Sequence, residues 1–272
     1  MDTETDWKTA VAEIALRIRN TCPLIHHITN YVVMNDTANA TLAIGASPVM
    51  AHAAEEVEEL TSVAGALVLN PGTLSSAWID SMLIAGRRAN EMGIPIVYDP
   101  VGVGATKFRT NTGVRFLKEL RLAVIRGNAG EVGALSGMGG AVRGVDSIES
   151  LQDPEKVALD LASCLQSIVV ITGKRDIVSD GKRVIGVDNG HPMLPYITGS
   201  GCMVTAVIAA FCAVEKDFLL AAAAGLAYYG LSAEFAGQRA SGPGSFRVAL
   251  MDALYQLTPE QIKAGVRIVE LK

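Results

Sequence analysis

Apolar residues recur along this chain with two alternating periods. Trp7, Val11, Ile14 and Ile18 fall three or four apart, which predicts a helix, and Pro23 follows its end. Leu24 to Ile28 then reads as a short strand, and Thr29-Asn30 as the opening of a second helix that Gly45 closes. Ser47 to Met50 is another short strand, and a helix begins at Glu55-Glu56, where negative charge suits the helix dipole. Ala66 to Leu69 is a wholly apolar run, stopped by Asn70-Pro71-Gly72. A helix is expected from about Ser76 to Met92, and a strand from Pro95 to Tyr98 that ends at Asp99-Pro100. A glycine-rich loop, Val101 to Ala105, follows.

The alternation continues with a helix near Thr112 to Leu120 and a strand from Leu122 to Ile125. A further helix starts at about Asn128 and includes Glu131, and Gly137 to Gly144 reads as a flexible loop. Asp153 is placed to cap the next helix, with Pro154 at its first position. Ser167 to Ile171 is a β-branched strand ending at Thr172-Gly173. Asp176 to Ser179 and Arg183 to Val187, turned at Asp180-Gly181, form a hairpin pattern. A strongly apolar helix, Met203 to Val214, and three or four more helices complete the chain. Strands alternating with helices predict an α/β fold: a mostly parallel central sheet, helices on both faces, and an antiparallel hairpin at one edge. No linker or internal repeat divides residues 1–272, so one domain is expected.

Composition narrows the functional classes. The formal charge of -5, without any run of Lys and Arg, argues against a nucleic-acid partner. The two longest apolar runs, before Glu215 and after Asp217, are each read as too short for the roughly 20 residues of a spanning helix, so no membrane partner is expected. Cys22, Cys164, Cys202 and Cys212 are scattered without CxxC spacing, which suggests neither a disulfide framework nor a zinc site. Reduced thiols and an acidic N-terminus without a signal-peptide pattern fit a cytoplasmic protein. His26, His27, His52 and His191 lack metal-ligand spacing. Neither GxxxxGK[ST] nor GxGxxG after the first strand is present.

The candidate chemistry lies where strands end. In an open parallel sheet, ligands bind beyond the carboxyl ends of the strands. Asn70, Asp99, Arg126 with Asn128, and Thr172 with Gly173 occupy such ends. Thr198-Gly199-Ser200-Gly201-Cys202 leads into the apolar helix, and its amides offer an anion pocket helped by the helix dipole. Cys202 stands at that mouth, where a thiol is closer to ionising than one in a core. Asp99 and Glu131 are the carboxylates best placed to hold a hard cation through water, and Arg126 has a fork suited to phosphate oxygens. Each residue also has an ordinary explanation: a buried helix start for Cys202, a turn for Asp99, dipole complementarity for Glu131, a salt bridge for Arg126.

The ordered motifs resemble those of the hydroxyethylthiazole kinases, a branch of the ribokinase-like superfamily. The resemblance runs roughly from Pro23 to Leu257. It rests on Ile28-Thr29-Asn30, Gly45 to Met50, Ala66 to Asn70 with Gly72-Thr73-Leu74, and Asp99-Pro100-Val101-Gly102. Ile125 to Asn128, Ile171-Thr172-Gly173, Thr198 to Met203 and Gly242 to Phe246 extend it. It implies a ribokinase-like fold and transfer of the ATP γ-phosphoryl group to the primary alcohol of 4-methyl-5-(2-hydroxyethyl)thiazole. By the same resemblance, Arg126 and Thr172 contact ATP, Met50 and Gly199 contact the thiazole, and Asp99 and Glu131 organise magnesium through water. Gly199, Ser200, Gly201 and Cys202 form the anion hole, with Cys202 at the position of the catalytic base. A homotrimer with sites between subunits is also implied. Most of the wider superfamily has Asp where this chain has Cys202, whereas Cys is normal in the thiazole kinase branch.

Other readings remain open on the sequence. One keeps the kinase and changes the alcohol to a hydroxymethylpyrimidine. Another is a non-catalytic thiazole or nucleotide sensor on the same fold. A third is a thiol hydrolase with Cys202 as nucleophile and His191 as its base.

Overall fold

All four side chains of strand β3 (Ala66–Leu69) are buried, so this strand needs cover on both faces. The computed structural model, which describes residues 6–138 and 153–272, supplies it. The other strands are β1 (Leu24–Ile28), β2 (Ser47–Val49), β4 (Ile96–Tyr98), β5 (Val124–Asn128), β6 (Ile168–Thr172), β7 (Asp176–Ser179), β8 (Val184–Val187) and β9 (Ile268–Glu270). They form one sheet in the order β2-β1-β3-β4-β5-β6-β7-β8-β9. The first six in this order are parallel, and the last three join antiparallel.

Successive side chains of each strand feed opposite layers. Ala66 and Val68 pack with helices α1 (Trp7–Thr21), α2 (Met34–Ala43), α8 (Ser200–Val214), α9 (Phe218–Gly237), α10 (Pro243–Gln256) and α11 (Pro259–Gly265). Leu67 and Leu69 pack with α3 (Val57–Ser62), α4 (Ser76–Met92), α5 (Lys107–Glu119) and α6 (Ala129–Met138). Under the antiparallel end, α6 and α7 (Pro154–Leu165) close a smaller cluster with Val169, Ile171, Ile177 and Val184. The expected alternation, the hairpin and the helices on both faces are all present. Asp153 caps α7 as the sequence indicates, its side chain accepting from Lys156 N at 3.0 Å.

Local expectations change at several places; α5 starts at Lys107 rather than near Thr112, and β5 runs Val124–Asn128 rather than Leu122 to Ile125. Helix α2 starts at Met34 rather than Thr29-Asn30, because Asn30 Oδ1 accepts from Val32 N (3.1 Å) and holds the chain in a turn. Gly137 belongs to α6, and the remainder of the expected loop, 139–144, lies outside the described residues. Strand β9 has no periodic signal, since only Ile268 is partly covered; backbone pairing with β8 makes it a strand. Helix α9 has 20 residues and is long and apolar enough to cross a membrane, but 78% of its apolar window is buried inside the fold, against α8 and α10.

One buried group in this frame carries a pH dependence. His27 is wholly buried in β1, with Nε2 3.3 Å from Thr41 Oγ1 and Nδ1 without a partner among the described residues. Burial, then the charges of His26 and His52, pull its pKa down to about 3. The unfolded chain therefore binds the proton more readily, and the stability is complete above the unfolded value near 6.5 and lost as pH falls towards the folded one. The loss from this group approaches about 2 kcal/mol by pH 5. We expect the urea midpoint to drop between pH 7 and pH 5, and His27→Leu to flatten that drop. Equal slopes in both proteins would remove His27 as the cause.

Candidate active site

The parallel strands deliver their next residues to one edge. Asn30 follows β1, Asn70 follows β3, Asp99 follows β4 and Thr172 ends β6, while Arg126, expected just past a strand ending at Ile125, lies in the middle of β5, which runs on to Asn128. All of them except Thr172 are at least nine-tenths buried, with Asp99 at 1% exposure and Arg126 at 9%. Helix α8 points its N-terminus at the same edge. Its cap, Gly199, has φ +83, and a Cβ there would also meet Val33 Cγ1 at 2.7 Å, so both conformation and space call for glycine. Met203 N bonds back to Gly199 O at 2.8 Å, while the amides of Gly201 and Cys202 have no partner among the described residues. Two free amides at a helix start make the anion pocket that the sequence suggests.

A hydrogen-bonded network joins the candidates. Asn70 Nδ2 donates to Asp99 Oδ2 (3.0 Å) and to Cys202 Sγ (3.1 Å). Thr205 Oγ1 donates to Asp99 Oδ2 at 2.9 Å. Arg126 Nη1 lies 3.8 Å from the same oxygen, and Nη2 donates to Thr172 Oγ1 at 2.7 Å. Asn30 Nδ2 donates to Asn70 Oδ1 at 2.8 Å. Arg126 also lies over the helix start: a Cβ on Gly201 would sit 2.8 Å from Nη1. Two polar atoms in this cluster, Asp99 Oδ1 and Arg126 Nε, are buried without a partner among the described residues. Buried polar atoms are usually paired, so these mark places where a ligand completes the site.

Beside the network is a cavity of about 600 Å³, lined by Arg126, Thr172, Asp176, Ser200, Gly201 and Tyr229 among others. Its size suits a small ligand. A larger cavity, about 790 Å³, opens at the amino ends of β4, β5 and β6, the edge opposite to these residues and away from their chemistry. Asp176, which the sequence marks only as a hairpin start, faces the smaller cavity; burial raises its pKa to about 6 against the pull of the Gly173 amide and Arg126.

The electrostatics refine the expectations for the thiol. Burial, then the Asp99 charge, push Cys202 up to about 12, while Asn70, Arg126 and Asn30 pull it down. Cys212, in the core, is also pushed up by its complete burial. The pocket leaves Cys202 a neutral thiol, because amide dipoles do not outweigh desolvation beside a carboxylate. Asp99 is raised to about 6 by burial; Arg126 opposes this and the Glu131 charge adds to it.

The remaining candidates divide. Glu131 forms a reciprocal cap with Asn128: Glu131 Oε2 accepts from Asn128 N (3.0 Å) and Asn128 Oδ1 from Glu131 N (2.9 Å), while Oε1 takes Gly102 N (2.9 Å). Its charge still reaches Asp99. Met50 follows β2 at the same edge but does not line the cavity. His191 stacks on Phe246 at 5.2 Å, and its Nδ1 accepts from Met193 N at 3.2 Å; it makes no hydrogen bond to Cys202, so the pair a thiol hydrolase needs is missing. Sequence reasoning misses Asn30 and Thr205 as site residues. Thr205 has a signal: it lies three residues after Cys202 on a helix, so the two share a face.

The Hydroxyethylthiazole kinase family profile matches residues 16–260. A hydroxyethylthiazole kinase of Desulforudis audaxviator (strain MP104C) is 63% identical over 261 residues, covering 96% of each chain. That of Roseiflexus sp. (strain RS-1) is 60% identical over 260 residues, again covering 96% of each. The solved structure of the hydroxyethylthiazole kinase protein from Pyrococcus horikoshii OT3 superposes with a TM-score of 0.90 at 45% identity, covering 96% of this chain and 99% of that one. A ribokinase-like superfamily protein of Enterococcus faecalis V583, 13% identical with a TM-score of 0.63 and covering 89% of each chain, shares the fold. The chain belongs to the hydroxyethylthiazole kinase family.

Proposed function

We propose that this chain transfers the γ-phosphoryl group of ATP to the primary hydroxyl of 4-methyl-5-(2-hydroxyethyl)thiazole, with Arg126, Asp99 and the start of α8 as its centre. The observation that carries the assignment of the site is the meeting of Arg126 and Gly201, which line the cavity, with the free amide of Cys202 and the Asp99 carboxylate behind them. Phosphoryl transfer asks mainly for alignment and charge neutralisation, which is what such a set provides. The alcohol oxygen forms a bond to the γ-phosphorus as the bond to the ADP oxygen breaks. Arg126, steadied by Thr172, and the free amides of Gly201 and Cys202 are the groups that meet the phosphoryl oxygens in this reading. Met50 and Gly199 are the thiazole contacts of this reading.

Cys202 takes the place of a base, and its neutral thiol limits what it does. In a loose transition state the alcohol loses its proton late, to an oxygen of the phosphoryl group being transferred, so an Sγ that aligns the hydroxyl is sufficient. A carboxylate at that position accepts the proton outright. We therefore expect Cys202→Asp to keep turnover within about tenfold of the native chain and Cys202→Ala to lower kcat by more than that.

Asp99 fits a role toward magnesium. Oδ1 is buried and unpartnered among the described residues, which suits it to receive a water of a hydrated cation. Glu131 adds charge nearby although its oxygens take two backbone amides. When bound, magnesium neutralises phosphate charge. The exposed Tyr31 and Val32 follow β1 at the same edge and are apolar surface that a neighbouring subunit of a homotrimer would cover.

The test is a reaction with ATP, magnesium and hydroxyethylthiazole, read by mass spectrometry for the phosphorylated thiazole. Parallel reactions omit magnesium or replace the thiazole with a hydroxymethylpyrimidine. Magnesium-dependent product from the thiazole alone is the expected result. A folded protein that binds ATP and phosphorylates neither alcohol would be a sensor, and one that prefers the pyrimidine would overturn the substrate.

A further inference from the structure

Asn70 uses every polar atom of its carboxamide. Oδ1 accepts from Asn30 Nδ2 (2.8 Å) and from Gly72 N (3.1 Å). Nδ2 has two hydrogens, and they divide between Asp99 Oδ2 (3.0 Å) and Cys202 Sγ (3.1 Å). The orientation is determined, because a flipped carboxamide would point its donors at two donors and its oxygen at a carboxylate. Its brace is held as firmly. Asn30 Oδ1 takes Val32 N at 3.1 Å, and a Cβ on Gly72 would come within 2.6 Å of Asn30 Nδ2, so residue 72 leaves room for that carboxamide.

Asn70 is 1% exposed. Its four contacts satisfy buried partners, so part of its worth is structural. What the amide adds is a fixed link between the residue on the phosphate side, Asp99, and the residue on the alcohol side, Cys202. We propose that Asn70 is a positioning residue of the transfer reaction. Its carboxamide sets where Cys202 Sγ stands relative to Asp99, and so aligns the acceptor hydroxyl with the phosphoryl group. This rests on the reading in which Cys202 faces the acceptor alcohol.

The experiment is a double-mutant cycle on kcat. Asn70→Leu keeps the volume and removes both donors; Asn70→Ala leaves room for water and runs beside it should the leucine variant not fold. Each is made in the native chain and in Cys202→Ala, with thermal midpoints recorded. In the native background kcat is expected to fall about thirtyfold, with KM for ATP and for the thiazole each within about threefold. In the Cys202→Ala background the same change should cost less than about threefold, because the residue it positions is gone. An equal loss in both backgrounds would overturn the proposal, and so would a tenfold rise in either KM with kcat intact. A Cys202→Ala protein as active as the native chain would remove instead the reading of Cys202 on which it rests.

Discussion

Asp99→Asn lowers kcat by about a hundredfold or more while making the protein more stable. The two effects have one cause. Asp99 is a carboxylate placed where its charge is costly: it is 1% exposed, and its pKa is raised to about 6 even though Arg126 lies 3.8 Å away and Asn70 and Thr205 donate to it. A raised carboxylate pKa means that the folded state holds the proton more tightly than the unfolded chain. Its penalty is therefore absent below about pH 4, grows as pH rises through the folded value, and amounts to about 3 kcal/mol at pH 7. That figure already includes the attraction of Arg126, so the loss of the ion pair is not to be subtracted again. An asparagine escapes the penalty but places an amide where Oδ1 had no partner, which returns about 1–2 kcal/mol. The net gain is about 1–2 kcal/mol, a rise of roughly 3 °C in thermal midpoint at pH 7. Calorimetry at pH 7 and pH 4 beside steady-state kinetics checks both parts. A midpoint that falls by several degrees at pH 7, or activity that survives, would sink this account of Asp99.

The same trade explains which parts of the site are legible in the sequence. Asp99, Arg126 and Thr172 are visible because parallel strands end at one edge and polar residues there stand out against apolar runs. The anion pocket is visible because two glycines precede an apolar helix. The hydrogen bonds that join these pieces are not. Asn30 reads as a helix start, yet its carboxamide points at Asn70, and helix α2 begins four residues later. Thr205 sits in a helix whose other residues from Met203 to Cys212 are apolar core, so only its spacing from Cys202 hints at Asp99 as its partner. Glu131 carries an ordinary signature as well, an Asn three residues before it that makes a reciprocal cap. The neutral state of Cys202 is beyond reach for a physical reason. A helix start alone favours a thiolate, and the opposing burial and carboxylate belong to strands distant in sequence. Fold is the easier inference, since apolar periodicity is local; β9 escapes it because an edge strand of three residues is made by its neighbour's backbone.

Gly201→Ala separates helix stability from function in the opposite direction to most helix substitutions. Gly201 lies in the first turn of α8 and is not at positive φ, so alanine suits its backbone and favours the helix by up to about 1 kcal/mol. The new methyl has one conflict. It would stand 2.8 Å from Arg126 Nη1, 3.1 Å from Nη2 and 3.3 Å from Cζ, and these atoms must move. A guanidinium is the flexible end of a long side chain, so the fold yields there cheaply. Its movement breaks the 2.7 Å bond to Thr172 Oγ1 and carries the charge off the free amides of the helix start. The phosphoryl oxygens then lose the cation and half of the pocket together. A displacement of about 1 Å in a positioning group costs on the order of a hundredfold in rate, so kcat/KM for ATP should fall by that order. The thermal midpoint should stay within about 2 °C of the native value, because the helix gain offsets the strain of moving one side chain. Adding Arg126→Lys to Gly201→Ala supplies the control. The slimmer ammonium clears the methyl, so alanine at position 201 should cost less in the Arg126→Lys background than in the native one. Equal losses in both backgrounds would mean that the methyl blocks the phosphate itself, and Arg126 would lose its place as the group that Gly201 makes room for.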